Sequence, residues 1–120
     1  MHMPSSKQRL GAWGEEQACL FLARQGFQVV ERNFHATQGE IDIVAKKGGD
    51  YYFVEVKTRA AGDLANDLAV TASKKYKLGK TVKRYCYERN VTEGSFILAS
   101  LMVIFDRSTR AVNFRLAVIF

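Results

Sequence analysis

Hydrophobic and polar residues alternate along two neighbouring stretches in the middle of the chain, residues 39–45 and 53–57. A two-residue period with β-branched side chains is typical of β-strands. Gly48 and Gly49 lie between the two stretches, and a glycine pair is favoured in the two-residue turn of a β-hairpin. The pattern therefore predicts an antiparallel hairpin. The apolar positions that alternate along its first strand are Ile41, Ile43 and Ala45.

The rest of the chain predicts two helices and three further strands. Apolar residues recur at helical spacing on both sides of the hairpin, and Ser5 or Ser6 could cap the first helix, with Gly26 ending it. The fold class is therefore α/β, bordering on α+β, in the order αβββαββ. The predicted helices are residues 6–25 and 68–89, the strands outside the hairpin are 27–34, 96–105 and 111–120, and 60–67 is a loop expected to be the least ordered segment.

The composition fits one folded domain, residues 1–120, in which Met1 and His2 could be a cloning remnant. Of the 120 residues, 48% are hydrophobic and 25% are charged, as in ordinary globular proteins. No apolar run approaches the roughly 20 residues needed to cross a bilayer, and no basic-then-apolar leader opens the chain. Because Cys19 and Cys86 lack metal-ligand spacing and suit a reducing compartment, we expect a cytoplasmic protein without a membrane partner.

The net charge of +6 favours anionic partners such as nucleic acid. Seven of the 18 basic residues fall within residues 74–89, where Glu88 is the one acidic residue. A basic helix of this kind could follow a phosphate backbone, although solvated lysines are also common on the outer face of an amphipathic helix. The residues expected to contact nucleic acid are Lys74, Lys77, Lys80, Lys83 and Arg84 on this helix, together with Arg59.

The polar positions of the hairpin could form a site. With the turn at the two glycines, Asp42 would lie opposite Glu55 and Glu40 opposite Lys57, all on one face. The Cβ atoms of directly opposed residues lie about 5 Å apart, so the two carboxylates would repel each other and could hold one divalent cation that offsets the repulsion. Mg²⁺ is typically held by one or two carboxylates together with water and phosphate. The alternatives are an ordinary solvated hairpin face, or a one-residue bulge that would separate the two acids.

Asp42, followed by Glu55 and, two residues later, Lys57, resembles the PD-(D/E)XK nuclease motif. The longer strings at residues 39–45 and 53–59 are more specific. They are similar to the YraN family of small bacterial endonuclease-like proteins, which is related to archaeal Holliday-junction resolvases. The resemblance also covers residues 11–18, 32–34 and 70–74.

This resemblance implies a restriction-endonuclease-like mixed sheet flanked by helices, and metal-dependent hydrolysis of DNA, in branched or single-stranded forms among others. Asp42 and Glu55 would bind Mg²⁺ or Mn²⁺, and Lys57 would position or activate the attacking water. Glu15 matches a glutamate of the first helix that joins the metal site in related resolvases. Its neighbour Glu16 points about 100° away around the helix, so only one of the two can face the site.

Other functions stay open at this point. Residues 99–103 lack the Arg-Phe-Asp-Val that this family usually carries in the strand after the second helix, so catalysis could be slow, altered or lost. A non-catalytic DNA-binding module would bind in a salt-sensitive way without Mg²⁺, and a scaffold protein would not bind DNA at all. Resolvase-like enzymes act as dimers, so the resemblance also allows a homodimer.

Overall fold

Two helices and five strands follow one another in the predicted order αβββαββ, which confirms the mixed α and β fold class. The structure is a computed structural model and describes residues 5–62 and 72–119. Within these residues no helix is long and apolar enough to cross a membrane. The elements are α1 (Ser6–Arg24), β1 (Gln28–Ala36), β2 (Gly39–Lys47), β3 (Asp50–Ala60), α2 (Ala72–Glu88), β4 (Phe96–Phe105) and β5 (Val112–Val118).

Local rules explain where α1 begins and ends. The Ser5 side chain accepts a hydrogen bond from the Gln8 N–H while the Gln8 side chain accepts one from the Ser5 N–H, which forms a capping box. Gly26, with φ of +90°, follows the last turn.

The predicted second helix and the loop before it can be compared with the structure only in part. Residues 68–71 of the predicted helix lie outside the described residues, as does most of the predicted loop, while β3 continues to Ala60.

The five strands form one mixed sheet in the order β1-β2-β3-β4-β5. β3 and β4 are parallel and are joined through α2, whereas the other neighbours are antiparallel. The predicted glycine turn is confirmed, because Gly48 and Gly49 both have positive φ, at +60° and +86°, and Lys47 pairs with Asp50. The predicted register holds from this turn as far as the pair of Ile43 and Val54.

The helices cover opposite faces of the sheet. Ala18 and Leu22 of α1 pack into one buried cluster with β2, β3 and β4, whereas Val82 and Tyr85 of α2 pack into a second cluster. β4 supplies buried residues to both clusters, as its continuous apolar run predicts. The two layers hold the central strands, and with them the middle of the hairpin, in fixed positions.

The simple two-residue period fails at one point of β2. Ile43 belongs to the cluster beneath α1, but Ile41 belongs to the cluster beneath α2, so side chains two residues apart lie on opposite faces. The partner strand β1 changes face at the same level, where Asn33 has a φ of +55°. Asp42 lies between the two isoleucines, where the alternation is broken. The expectation of one continuous face through the hairpin is therefore wrong there.

Candidate active site

The β2–β3 ladder stops just before the predicted acidic pair. Ile43 and Val54 are its last partners, and beyond them Asp42 Oδ2 accepts a hydrogen bond of 2.8 Å from the Val56 N–H. A carboxylate thus occupies the position that a strand carbonyl would otherwise take. Asp42 and Glu55 are consequently not ladder partners, but the divergence of the two strands opens a groove between them.

All four residues predicted to be catalytic line this groove. β2 supplies Asp42, β3 supplies Glu55 and Lys57, and α1 supplies Glu15. The side chains of the three acids and the lysine are only partly exposed. The structure therefore brings the four predicted residues together from three elements. The remaining lining residues are Lys7, Leu10, Gly11, Val56, Thr58, Arg59 and Lys74.

Asp42 has the most perturbed acid–base equilibrium in this groove. Burial raises the pKa of its carboxyl from 3.8 to about 6, against the hydrogen bond from the Val56 N–H, which lowers it. The negative charges of Glu15, Glu40 and Glu55 raise the pKa further. Because nearby acids disfavour its ionised form, a bound cation would restore the Asp42 carboxylate.

Protein cations already contact the other two acids. Lys74 Nζ lies 3.7 Å from Glu55 Oε1, and Arg32 Nε lies 3.3 Å from Glu15 Oε1. Arg32 also pairs with Glu16, at 2.9 Å. Glu15 is 15% exposed and lines the groove, whereas Glu16 is 56% exposed and is not among the lining residues. The two neighbours therefore differ as the helical geometry predicts, with Glu15 as the member that faces the site.

Glu40 does not face Lys57, and the suggested pair between them is wrong. Glu40 pairs with His35 across β1 and β2, with 3.2 Å between His35 Nδ1 and Glu40 Oε2. The physical reason is that β2 pairs with β3 only from Ile43 to Lys47, whereas residues 39–41 pair only with β1. Among residues 5–62 and 72–119, the Lys57 ammonium has no ion-pair partner.

The donor set fits a hard divalent cation held by few protein ligands. In the part of the chain that the structure describes, no group of three or more His, Cys, Asp or Glu residues lies close enough together to hold a metal ion. Mg²⁺ needs only one or two carboxylates when water and phosphate complete its coordination. Asp42 and Glu55 provide those two, and Glu15 is near enough for its charge to raise the pKa of Asp42. These residues fit Mg²⁺ or Mn²⁺.

A close contact between α1 and β3 lies beside the groove. A Cβ built on Gly14 of α1 would overlap Thr58 Oγ1 of β3, the residue directly after Lys57. One helical turn earlier, a Cβ on Gly11 would meet no atom within 4 Å, and Gly11 lines the groove. The two helical glycines therefore differ: Gly14 lets the backbones approach, and Gly11 leaves space beside the site.

The basic residues of α2 continue from the site along a series of adjoining grooves. Lys74 and Lys77 line a groove that also contains Asp42, Glu55 and Gln38. Gln38, in the β1–β2 turn, also lines the next groove, whose other residues are Lys80, Lys83, Arg84 and Tyr87. The five predicted basic residues of the helix thus extend outwards from the acidic pair. Arg59 lies at the other end, where it lines the groove beside Lys57 and donates a 2.8 Å hydrogen bond to the Thr58 carbonyl.

Sequence reasoning missed two contributors. Arg32 lies in a stretch that resembles the family, but its hydrogen bond to Glu15 depends on how α1 packs on β1. Gln38 lies in the turn between β1 and β2 and lines both basic grooves, which no sequence pattern indicates. The altered strand segment lies directly beside the motif, since Ser100 of β4 pairs with Glu55, and Met102 pairs with Lys57. The missing basic and acidic residues would therefore have been neighbours of the motif strand.

The model of the uncharacterised protein family UPF0102 matches residues 14–119. The chain is 40% identical over 97 residues to a UPF0102 protein of Syntrophomonas wolfei, covering 78% of this chain and 84% of that protein. It is 45% identical over 75 residues to one of Campylobacter fetus, covering 62% and 66%. It is 51% identical over 61 residues to one of Roseiflexus castenholzii, but this match spans about half of each chain, 51% and 49%.

Proposed function

Because this chain belongs to the uncharacterised protein family UPF0102, the YraN group, and carries an intact acidic–lysine motif, we propose that it is a metal-dependent endonuclease that hydrolyses DNA phosphodiester bonds. One observation carries this proposal: β2 and β3 stop pairing at Asp42, and three carboxylates and an ammonium line one groove there. Few structural roles need a half-buried acid with a pKa of about 6 beside two further acids.

Each residue has a distinct role in this proposal. Asp42 and Glu55 hold Mg²⁺ or Mn²⁺, with Glu15 contributing directly or through water. The bound ion supplies polarisation of the phosphoryl group and a more acidic water. Lys57 orients the attacking water and balances the negative charge that develops on the phosphate. Arg32 of β1 pairs with the Glu15 carboxylate of α1 at 3.3 Å and so positions that acid in the groove.

DNA would lie along the adjoining grooves of α2. Residues 74–89 carry seven basic residues and one acid, Glu88, so the exposed lysines of this helix can contact phosphates on either side of the scissile bond. Lys74, which lies 3.7 Å from Glu55, could exchange that carboxylate for a phosphate when a divalent ion binds Glu55. This exchange would couple metal binding to DNA binding.

Cleavage assays of linear, single-stranded and branched DNA, with and without Mn²⁺, test the proposal. Asp42→Ala and Lys57→Ala should each reduce metal-dependent cleavage by at least about 100-fold, because each removes a group that acts on the reacting atoms. Glu93→Gln is the control, since this exposed acid between α2 and β4 lines neither groove that contains Asp42 and Glu55 and should leave the rate within about threefold. Cleavage that survives either alanine substitution would exclude this mechanism.

A second candidate is a non-catalytic DNA-binding module that retains the fold. Two observations favour it: Lys74 and Arg32 already pair with two of the acids, and the strand beside the motif lacks the usual charged residues. This candidate predicts salt-sensitive binding that is indifferent to Mg²⁺ and to Asp42→Ala. A scaffold role predicts no DNA binding even at low salt.

The homodimer and the cytoplasmic location stay predictions. Light scattering can test the first and cell fractionation the second.

A further inference from the structure

Two tyrosines of α2 are far more exposed than the third tyrosine of the same helix. Tyr76 is 64% exposed and Tyr87 is 77% exposed, whereas Tyr85 is 1% exposed and belongs to the core beneath the helix. Single exposed aromatic residues are common, but these two belong to the basic helix and share its outer surface. Neither ring is needed to cover the buried clusters.

The two rings and three basic residues occupy one stripe of the helix. At about 100° per residue, Tyr76, Lys80, Lys83, Arg84 and Tyr87 fall within an arc of about 100°. The eleven-residue separation of the tyrosines corresponds to about 16 Å along the axis. Lys80 Nζ lies 4.7 Å from the centroid of the Tyr76 ring, and Arg84 Cζ lies 5.9 Å from that of Tyr87. Each ring therefore has a cation beside it.

This stripe is continuous with the candidate active site. Tyr87, Lys80, Lys83 and Arg84 line one groove with Gln38, and Gln38 also lines the groove that contains Asp42 and Glu55. A chain of phosphates lying along these grooves would pass from the acidic pair to the exposed ring of Tyr87. The positive charge of the stripe is complementary to phosphates, because the acid on this part of the helix, Glu88, is already paired with Arg84 at 3.2 Å.

We propose that the outer surface of α2 binds single-stranded nucleic acid, with unpaired bases stacked on Tyr87 and Tyr76 and phosphates held by the basic residues between them. The proposal rests on the nuclease function in that it names the substrate class of the same site. In a duplex the faces of the bases are covered by their neighbours, so exposed rings can stack only on unpaired bases. At about 3.4 Å per stacked nucleotide, 16 Å between the rings corresponds to about five nucleotides.

The test is equilibrium binding of fluorescein-labelled DNA in EDTA, so that cleavage does not interfere, using a single strand and a duplex of about 20 nucleotides. Tyr87→Leu should weaken single-strand binding by about 5- to 150-fold in Kd, because stacking on one base is lost. The same change should alter duplex binding by less than about twofold. Tyr87→Phe, which keeps the ring, should bind the single strand as the unsubstituted protein does.

Lys83→Gln is the comparison that separates charge from stacking. This change should weaken binding to the single strand and to the duplex by a similar factor, and it should reduce the salt dependence of binding by about one counterion. Tyr76→Leu provides a second ring variant, so that the proposal does not depend on one substitution. Because both tyrosines are exposed, melting temperatures of the ring variants should stay close to that of the unsubstituted protein.

Equal loss of single-strand and duplex binding in Tyr87→Leu and Tyr76→Leu, or no loss in either, would overturn the inference. Its failure differs from failure of the proposed function. If the unsubstituted protein cleaves with Mn²⁺ while binding ignores both tyrosines, the stacking surface is wrong and the nuclease stands. If no DNA is cleaved while single-strand binding depends on the rings, the stacking surface stands without the nuclease.

Discussion

The two ends of the β2–β3 hairpin are held together in different ways. At the closed end, Gly48 and Gly49 form a tight turn, and each following pair of residues stays in register as far as Ile43 and Val54. At the open end the ladder is replaced by one side chain, Asp42, which accepts the Val56 N–H. The closed end follows local rules of turn and strand pairing. At the open end the backbone pairing is lost, and the acids line a groove.

The neighbours of the two ends differ in the same sense. Lys47 beside the turn donates to the Gln25 carbonyl at 2.8 Å, and Asp50 accepts from the Ser95 N–H at 3.2 Å. These contacts satisfy their partners and fasten the turn. At the open end, burial and surrounding acids instead make the ionised form of Asp42 unfavourable. Repulsion between neighbouring acids of this kind is expected at a site where a bound ligand supplies the compensating positive charge.

The largest expected effect concerns the helix that supports the open end. Gly14→Ala should lower the free energy of unfolding by about 1–3 kcal/mol, because the new Cβ would overlap Thr58 Oγ1 and lie 2.9 Å from Thr58 Cβ. Gly11→Ala should raise it by up to about 1 kcal/mol, since alanine favours the helix and meets no atom within 4 Å. Urea denaturation measures both variants.

The two alanine variants should therefore differ by about 1–4 kcal/mol, although both replace a glycine in the same helix. Thr58→Ala combined with Gly14→Ala should recover part of the loss, because it removes the overlapping hydroxyl. Equal stabilities of Gly14→Ala and Gly11→Ala would show that α1 does not press against β3 beside Lys57.

The next effect is on the pH dependence of stability. The folded-state pKa of Asp42 is raised from 3.8 to about 6, so folding favours its protonated form. Its ionisation therefore costs nothing below about pH 4, lowers the free energy of unfolding progressively up to about pH 6, and lowers it by a constant amount above that. Asp42→Asn, which keeps an oxygen for the Val56 N–H, should be more stable than the unsubstituted protein by about 1–2 kcal/mol at pH 7.

Denaturation curves at pH 4 and pH 7 check this expectation. Asp42→Asn and the unsubstituted protein should have similar stabilities at pH 4 and diverge as the pH rises. Glu40→Gln is the control, because this acid on the same strand is 62% exposed and should change stability by less than about 1 kcal/mol. A loss of stability in Asp42→Asn at pH 7 would mean that Asp42 is a structural acid, and would weaken the comparison between the two ends.

The difference between the ends also explains how far the sequence alone could lead. The turn, the register near it and the apolar β4 were predicted correctly because they depend on glycine conformations and hydrophobic periods. The change of face at Ile41 was not predicted, because it coincides with a positive φ at Asn33, a non-glycine residue on another strand. The change of face therefore depends on how β1 pairs with β2, which the hydrophobic period of β2 alone does not encode.

The candidate site shows the same division. The motif residues Asp42, Glu55 and Lys57 were found from spacing and resemblance, and they line one groove. The partners of the acids were not found: Arg32 reaches Glu15 from β1, and Glu40 pairs with His35 instead of Lys57. Which cation meets which acid depends on how α1 and β1 pack, and no local pattern in the sequence encodes that packing.

The smallest expected effect lies at the closed end. Gly48 has a φ of +60° and a Cβ there would meet no atom within 4 Å, so conformation alone limits what can replace it. Gly48→Asn should change the free energy of unfolding by less than about 0.5 kcal/mol, because asparagine tolerates the left-handed region and suits this turn type. Gly48→Val should cost about 1–2 kcal/mol, since a β-branched residue does not adopt that conformation easily. Urea denaturation would separate the two variants, and metal-dependent cleavage per folded molecule should be the same in both, because the regular ladder lies between this turn and Asp42.

If Gly48→Asn destabilised the protein as much as Gly48→Val, steric crowding and not backbone conformation would limit the turn. If either variant changed cleavage, the two ends of the hairpin would be coupled and the contrast between them would fail.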